Sequence, residues 1–478
     1  MNNNEKPQAT QDMQQRDLSR RRFLQMTGLA SGAAFLAACA PAAAPSAPAA
    51  EGGESASGDT ASPSAETTTI SWWNQYETAT TQIAIPQIIE GFQEMYPNIQ
   101  VDYEITGGPP GGGDYTEVML ARIAAGNPPN AATTWDPPAQ FAARGSLSQL
   151  DAFMENAEFA TQDAFYEGPL NSCRWQGGVF GLPASAGAGC VVYNVDMLDA
   201  AGIPSDRASF PTTWEGLRDL SAQLTEWDGE PSQVGLVPWA TPWLKPVWSG
   251  LNGSQIFNAE SLQYTLDSEE NVEWLTYWLN WLDEQYQGDI EQLNFYGPYD
   301  GAYAPGAFNS GFAAMVQSGS WATSDAEMPF NWEIAKFPVG PSGERSVTGY
   351  WPNWWIVPAG AADIQESFLF CEYFCTKGWE TWYSYIMDTP AWVNFPDGVL
   401  TEKLVEEVGL ERATEIHNFF SDYLNDTVDM WNSPVENFAN DTLETAVSEV
   451  LFKQTTPDQA LASAQELIQA RLDETLQA

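Results

Sequence analysis

The sequence predicts an α/β fold of two domains, and three observations indicate it. Short apolar strands alternate with amphipathic helices between residues 67 and 135, which is typical of a mostly parallel sheet covered by helices. Large apolar and aromatic residues resume abruptly at Ile70-Ser71-Trp72-Trp73 after a stretch of small and polar residues, so the folded body starts there. About 400 residues follow, more than the ~250–300 at which one hydrophobic core stops growing.

The first elements form a βαβ unit. Residues 67–72 predict a strand, and the helix that follows ends at Pro97. Its apolar face consists of Ile85, Ile88, Ile89, Phe92 and Tyr96. Alternating apolar residues over 99–105 predict a strand with one buried face, and a helix over 115–125 leads to a strand over 131–135. Ligands of such sheets bind beyond the carboxyl ends of the strands.

Later segments continue the pattern. Residues 178–183 predict a short strand with glycine and proline breakers, and residues 190–193 predict an apolar strand. Thr212, with Glu215 three residues later, forms a capping box at the start of a helix.

Two further helices are indicated by spacing. Trp274, Trp278 and Trp281 recur at i, i+4 and i+7, which is typical of a helix face packed into a core. The last helix has Thr456 as its N-cap and Pro457 at its first position.

The first 39 residues predict an export signal. Arg20 and Arg21 precede an apolar run, 26–38, that is shorter than the ~20 residues needed to span a bilayer. The paired arginines resemble the twin-arginine signal, and the ending Leu-Ala-Ala-Cys39 resembles the bacterial lipoprotein box. We therefore expect a lipid on Cys39 and a flexible Ala/Pro/Ser/Gly linker over residues 40–69. A plain signal peptide or an uncleaved anchor is the alternative.

The chain is strongly acidic, with 18 basic and 64 acidic residues and a formal net charge of −46. Residues 1–38 carry five bases and three acids, so the charge after cleavage becomes −48. Such a field disfavours nucleic acid, anionic lipid headgroups and anionic ligands, and it fits a neutral or cationic ligand. A solubility or salt adaptation explains the charge equally well.

Four cysteines remain after Cys39, and an extracytoplasmic location permits disulfides between them. They are Cys173, Cys190, Cys371 and Cys375. The last two lie four apart in an apolar stretch that predicts a buried helix, so we expect core thiols there, and spacing alone gives no pairing. His417 is the only histidine, which argues against a metal site and against a histidine-dependent catalytic site. A two-carboxylate glycoside hydrolase stays open because acids are plentiful.

Several segments of the body carry motifs that occur together in one family. In order, they are Ile88–Val101, Ala124–Asn130 (AGNPPD), Phe180–Pro183 (YGLP), Tyr193–Leu198 (YNKDLF), Ala201–Pro204 (AGI), Thr213–Leu217 (TWDEL), Phe312–Met315 with Gly319–Ala322 (AM and GSWA) and Thr456–Leu472 (SPEEAL). Asn130 replaces the usual acid, and Val195 replaces the usual basic residue. Together these segments resemble the extracellular solute-binding proteins of sugar-uptake ABC transporters, the group that includes maltose-binding protein.

The resemblance implies a two-lobed periplasmic-binding-protein fold with the ligand in the cleft between two α/β lobes. The expected lobes are residues 70–188 with 350–425 (lobe I) and 189–349 with 426–478 (lobe II). Crossings between them are expected near Ala186 to Val191, near Tyr350 to Trp355 and near Asn425. Family members open and close by hinge motion, and the closed form docks on the membrane permease.

A neutral sugar has apolar C–H faces and a rim of hydroxyls, so aromatic rings and Asp, Asn, Glu or Gln side chains hold it. Candidates lie near strand ends or crossings, outside regular helix faces. They are Trp73, Asn74, Trp135, Asp136, Trp239, Trp243, Trp248, Trp321, Tyr350, Trp351 and Asn353. The family places ligand contacts near the positions of Trp321 and Tyr350–Trp351. For each tryptophan, core packing is the alternative, and Asp136 can instead be a turn residue.

These observations predict a monomeric, lipid-anchored receptor on the outer face of the cell membrane. It is expected to bind a neutral mono- or oligosaccharide and deliver it to an ABC permease, without cofactor, metal or catalysis. A polyol, polyamine, glycerophosphodiester or short peptide is the alternative ligand. A secreted carbohydrate-active enzyme is the alternative from another class.

Overall fold

The computed structural model describes residues 67–75, 78, 80–105, 113–294, 306–323 and 328–477. The expected signal segment with Cys39, and the linker up to residue 66, lie outside these ranges. The described residues belong to one compact unit, Ala65–Ala478.

Short strands are spread along the whole described chain. In order they are β1 (Thr68–Asn74), β2 (Ile99–Ile105), β3 (Ala131–Thr134), β4 (Arg174–Trp175), β5 (Gly178–Val179), β6 (Leu182–Pro183), β7 (Gly189–Asn194), β8 (Glu226–Trp227), β9 (Pro231–Gln233), β10 (Phe257–Asn258), β11 (Gln263–Tyr264), β12 (Met315–Gly319), β13 (Trp332–Ala335) and β14 (Trp354–Ile356).

Helices alternate with these strands and dominate the last third of the chain. They are α1 (Thr81–Met95), α2 (Gly113–Ala124), α3 (Pro138–Ala142), α4 (Asp151–Met154), α5 (Glu167–Asn171), α6 (Val195–Ala200), α7 (Trp214–Gln223), α8 (Lys245–Leu251), α9 (Glu269–Gln285), α10 (Glu291–Asn294), α11 (Ile364–Cys375), α12 (Lys377–Tyr385), α13 (Glu402–Val408), α14 (Leu410–Tyr423), α15 (Glu436–Leu451) and α16 (Pro457–Gln477). Within the described ranges, no helix combines the length and apolarity that crossing a membrane requires.

Two main sheets organise the fold. The first has the order β2-β1-β3-β14-β6, and the second has the order β12-β7-β13. β1 runs parallel to β2 and β3, whereas β14 is antiparallel to β3 and to β6. The second sheet is antiparallel at both of its pairings. The expected mostly parallel sheet is therefore limited to the opening βαβ region, because strands from later in the chain insert antiparallel.

Over the described residues, the chain passes between the two sheets twice. It leaves the first sheet after Pro183 and enters the second at Gly189. It returns to the first sheet at Trp354, after β13 has ended at Ala335. A third segment follows α14, where Thr348 pairs with Thr427 in a parallel bridge. The lobe boundaries stay a prediction.

The first helix follows its apolar pattern. α1 buries Ile85, Ile88 and Phe92 and ends at Met95, before Pro97. β2 departs from expectation, because Ile99 is buried but Tyr103 is 38% exposed. β2 is the edge strand of its sheet, so the apolar side chains on its inner face are only partly covered.

Aromatic residues fill the core. Trp274, Trp278 and Trp281 are fully buried on α9, which confirms the predicted packed face. The cap before α7 lies one residue later than predicted: the Thr213 side chain, rather than that of Thr212, accepts from the Gly216 N–H.

The four described cysteines are buried and unpaired by disulfides. Cys371 and Cys375 lie on α11, as expected for a buried helix. Burial raises the pKa of both thiols, which makes them poor nucleophiles.

Candidate functional site

Three tryptophans from separate segments meet where the chain passes between the two sheets. Trp243 lies on a short 3₁₀ turn, Trp321 follows β12 directly, and Trp351 precedes β14. The ring centroids of Trp243 and Trp351 are 4.5 Å apart at 78°, and those of Trp321 and Trp351 are 5.8 Å apart at 83°. Trp243 and Trp321 are 5.6 Å apart. All three rings are partly exposed, and we call them the tryptophan cluster.

Glycine backbone makes room for these rings. A Cβ placed on Gly349 would lie 2.6 Å from the Trp351 ring, and one placed on Gly187 would lie 3.0 Å from the Trp321 ring. A Cβ on Gly319 would overlap the Trp321 ring itself. Any larger residue at these positions would displace an indole, so the cluster depends on these three glycines.

A second group of side chains forms a polar row beside β14. Trp135 Nε1 donates to Asn353 Oδ1 at 2.9 Å, and Asn353 Nδ2 donates to Asp388 Oδ2 at 2.9 Å. Trp135 and Asp388 are partly exposed, whereas Asn353 is 9% exposed. We call Trp135, Asn353 and Asp388 the polar row. Asp388 carries no motif that sequence reasoning could have found.

Backbone contacts join the polar row to the tryptophan cluster. The Trp351 N–H donates to Ala186 O at 3.0 Å, and the Ala186 N–H donates to Thr389 O at 2.6 Å. The Thr389 N–H in turn donates to Ser320 Oγ at 3.5 Å, one residue before Trp321. The two groups are therefore neighbours at the passage between the sheets, and together they form the candidate site.

Side chains at the ends of β1 and β3 hold the backbone that carries Trp135 of the polar row. Asn74 is fully buried, and its Oδ1 accepts from Thr133 Oγ1 at 3.2 Å. Gln75, which the sequence reasoning missed, accepts the Trp135 N–H on its Oε1 at 3.1 Å. Both residues therefore help to fix the backbone from which Trp135 projects.

Asp136 is committed to protein contacts. Its Oδ1 accepts from Asn437 Nδ2 at 2.9 Å, and its Oδ2 accepts from Thr116 Oγ1. Because both carboxylate oxygens are engaged and the residue is 7% exposed, Asp136 is held in place by α2 and α15. In this conformation it has little capacity left for a ligand.

Three of the predicted contacts lie in the core instead of the candidate site. Trp73 is 3% exposed, with the Arg122 guanidinium 4.2 Å from its ring centroid. Trp248 is 1% exposed, and its Nε1 donates to Gln317 Oε1 at 3.3 Å. Tyr350 is fully buried, and its hydroxyl donates to Met430 O at 2.9 Å. Enclosed rings present no face to a ligand, so we leave these three out of the proposed site.

Trp239 lies on the same loop as Trp243 but packs elsewhere. Its ring meets Trp278 and Tyr286 edge-on, at centroid distances of 6.5 and 6.0 Å. Trp278 and Tyr286 are both fully buried, so Trp239 anchors the loop more than it extends the site.

Catalytic and metal-binding features do not converge on the site. Asp388 is the only ionisable side chain in the cluster and the polar row. Among the described residues, no group of three or more His, Cys, Asp or Glu side chains is arranged to hold a metal. His417 lies on α14, where its Nδ1 is 2.8 Å from the Tyr383 hydroxyl and burial lowers its pKa.

Two sheets linked by crossing segments, with aromatic and polar side chains gathered at the passage, define the class of two-lobed solute receptors. The family model described as "Bacterial extracellular solute-binding protein" matches residues 78–380. The chain therefore belongs to this family of extracellular solute-binding proteins.

Known relatives agree with this assignment. An arabinooligosaccharide-binding protein from Halalkalibacterium halodurans is 23% identical over 331 residues, which cover 65% of this chain and 70% of the relative. An ABC substrate-binding protein from Listeria monocytogenes, solved with cycloalternan, has a TM-score of 0.67 at 20% identity and covers 85% of this chain and all of its own. The cyclic α-maltosyl-1,6-maltose binding protein of Arthrobacter globiformis has a TM-score of 0.65 at 17% identity, with the same coverage.

Proposed function

We propose that this protein is the extracytoplasmic substrate-binding lipoprotein of a carbohydrate ABC importer. It takes a neutral mono- or oligosaccharide at the tryptophan cluster and the polar row and delivers it to the permease. The observation that carries the proposal is the contact of Trp243, Trp321 and Trp351 beside the Trp135–Asn353–Asp388 row.

The chemistry of this combination suits a sugar. Indole faces and edges pack against the C–H faces of a pyranose or furanose ring. The carboxylate of Asp388 provides acceptors for neighbouring hydroxyls, and the amide of Asn353, which donates to Asp388 Oδ2, holds that carboxylate in place. The relatives support the same ligand class, since they bind arabinooligosaccharides, cycloalternan and a cyclic maltosyl-maltose.

The anchor and the partners are part of the proposal. Export through the twin-arginine signal and lipidation at Cys39 would keep the receptor on the outer face of the cell membrane, within reach of the permease subunits. We propose that it acts as a monomer. Metabolic labelling with a fatty-acid analogue tests the anchor: the wild type should incorporate label and C39S should not, and equal labelling of both contradicts it.

A thermal-shift screen tests the ligand class. Neutral mono-, di- and oligosaccharides of the arabino, manno and malto series are compared with polyamines, glycerophosphodiesters and peptides. A ligand at ~100 times its Kd adds ~2.7 kcal/mol of stability, enough for a clear shift in Tm. A shift with at least one saccharide is expected. A shift with polyamines alone contradicts the proposal, and release of sugar from a glycoside points to the enzyme alternative.

A cationic ligand is the second candidate, and two observations favour it. The net charge of −46 attracts cations, and Asp388 is the ionisable group of the site. Tryptophan faces also bind cationic groups. A glycerophosphodiester is disfavoured because its phosphate would meet a carboxylate at this site.

A further inference from the structure

One buried cation lies two residues after Trp243 of the tryptophan cluster. Among the residues that the structure describes, Lys245 is the one buried lysine or arginine, and its side chain is 6% exposed. It is the first residue of α8, immediately after the turn that carries Trp243. Burial of an ammonium group costs free energy unless the group is paired and hydrogen-bonded. Lys245 therefore requires partners within the protein.

Lys245 has two partners. Its Nζ donates to Pro242 O at 2.7 Å, and it forms an ion pair with the Glu444 carboxylate on α15. Burial lowers the pKa of Lys245, and Glu444 opposes that effect. The lysine thus links the turn before α8 to the C-terminal helices.

The carbonyl that Lys245 binds belongs to the peptide unit of Trp243. Pro242 O, Trp243 N and Trp243 Cα share one rigid peptide plane, so holding this oxygen restrains the position of the Cα from which the Trp243 side chain extends. Within this turn the Leu244 N–H donates to Thr241 O at 3.2 Å, whereas Pro242 has no N–H to donate. On its other side, Thr241 Oγ1 donates to Gln317 O at 3.2 Å.

We propose that Lys245 and Glu444 are positioning residues for the saccharide site. They hold the Pro242–Trp243 peptide so that the Trp243 ring meets Trp351 edge-on at 4.5 Å. The inference rests on the proposed function, since it assigns the pair a role in ligand affinity. It also makes α15 a part of the site's support, although α15 contributes no residue to the cluster.

The test uses three variants. K245M keeps a long apolar stem but removes the ammonium group. E444Q keeps an oxygen acceptor but removes the charge, and it serves if K245M fails to fold. K453M is the matched control, because it removes the Lys453–Asp283 ion pair, 2.6 Å long with both side chains about half exposed.

Two readouts separate positioning from stability. In protein labelled with 5-fluorotryptophan, the Trp243 resonance is assigned by W243F and compared in the absence of any ligand. Affinity for the saccharide found by the screen is then measured by calorimetry. K245M should shift or broaden the Trp243 resonance and weaken binding about tenfold, with a smaller effect for E444Q and none for K453M.

The outcomes are distinct. An unchanged Trp243 resonance and unchanged affinity in both K245M and E444Q, with only a lower Tm, overturns the positioning role. The same change in K453M overturns it as well. Failure of the wild type to bind any saccharide sinks the proposed function instead, and the ligand-free resonance still decides whether the pair positions Trp243.

Discussion

At the scale of the residue, the tryptophans differ in how deeply the protein buries their rings. Trp243, Trp321 and Trp351 touch one another and keep part of their surface, whereas Trp73 and Trp248 are enclosed. The sequence contains 21 tryptophans, which are chemically the same. Periodic spacing predicts which of them are core residues only where they recur along a helix. Trp274, Trp278 and Trp281 could therefore be predicted as core. The loop tryptophans could not be sorted, because their burial depends on which distant segments pack over them.

Asp388 is the residue that distinguishes a neutral from a cationic ligand. For a neutral saccharide, D388N keeps a hydrogen-bonding side chain and should weaken binding less than D388A, which should cost about 10- to 100-fold. For a cationic ligand, both variants lose the charge and should weaken binding equally, with affinity that falls as salt rises. Calorimetry at two ionic strengths measures both, and equal losses for a saccharide contradict the proposed hydroxyl contact.

A buried carboxyl at the start of α15 makes stability depend on pH. Burial raises the pKa of Glu436 from 4.5 to about 7. An acid with a raised folded pKa contributes stability that is present below its unfolded pKa and lost as pH rises through the folded one. Between pH 5 and pH 8 the wild type should therefore lose up to about 3 kcal/mol of unfolding free energy through this group.

The variant E436Q should lose less stability over the same interval, because the amide does not titrate. Urea unfolding at pH 5 and pH 8 measures the difference. The exposed Glu449 on the same helix supplies the control variant E449Q, which should follow the wild type. Equal pH dependence of E436Q and wild type would show that Glu436 does not carry the effect.

At the scale of the element, α14 connects regions that the expected boundaries assign to different lobes. Glu333 of β13 accepts from Arg207 at 2.7 Å and from Arg412 of α14. Glu415 of α14 pairs with Arg207 at 2.9 Å and with Arg412 at 2.7 Å. The four side chains form a closed ion ring, and its hydrogen bond from Arg412 lowers the pKa of Glu415.

Removing one carboxylate from the ion ring should lower the free energy of unfolding, because the arginines that remain are partly buried. In E333A both arginines lose an acceptor that is only 17% exposed, so we expect a loss of about 2 kcal/mol in unfolding free energy. D283A, which breaks an exposed ion pair with Lys453, should change stability by about 0.5 kcal/mol or less. Urea unfolding checks both, and equal effects would show that the ring adds nothing beyond a surface pair.

Local sequence patterns predicted most of the helices and strands, but few of the pairings between strands. Hydrophobic period located α1 and the packed face of α9, and cap chemistry located α7 to within one residue. No local signal shows that β14 inserts between β3 and β6, 170 or more residues after them, because that pairing is decided by the passage between the sheets. The polar row depends on this insertion, which is why Asp388 was missed.

At the scale of the whole molecule, the site lies where the chain passes between the sheets. Trp351 comes from the segment before β14, and Trp321 comes from the 3₁₀ turn Ser320–Thr323 after β12, so segments next to the first and second sheets both contribute. A ligand that contacts both groups would stabilise their mutual arrangement, which is how a receptor of this class couples binding to closure.

The most direct measurement is a calorimetric titration of wild type and W351A with the saccharide that the screen identifies. Trp351 contacts both other rings of the cluster, so W351A should weaken binding about 30-fold or more while the protein stays folded. The control is W227A, which removes a partly exposed tryptophan of β8 outside the site and should bind like the wild type. Saccharide binding by the wild type that is lost in W351A is the predicted result. Unchanged affinity in folded W351A would contradict the site proposed here.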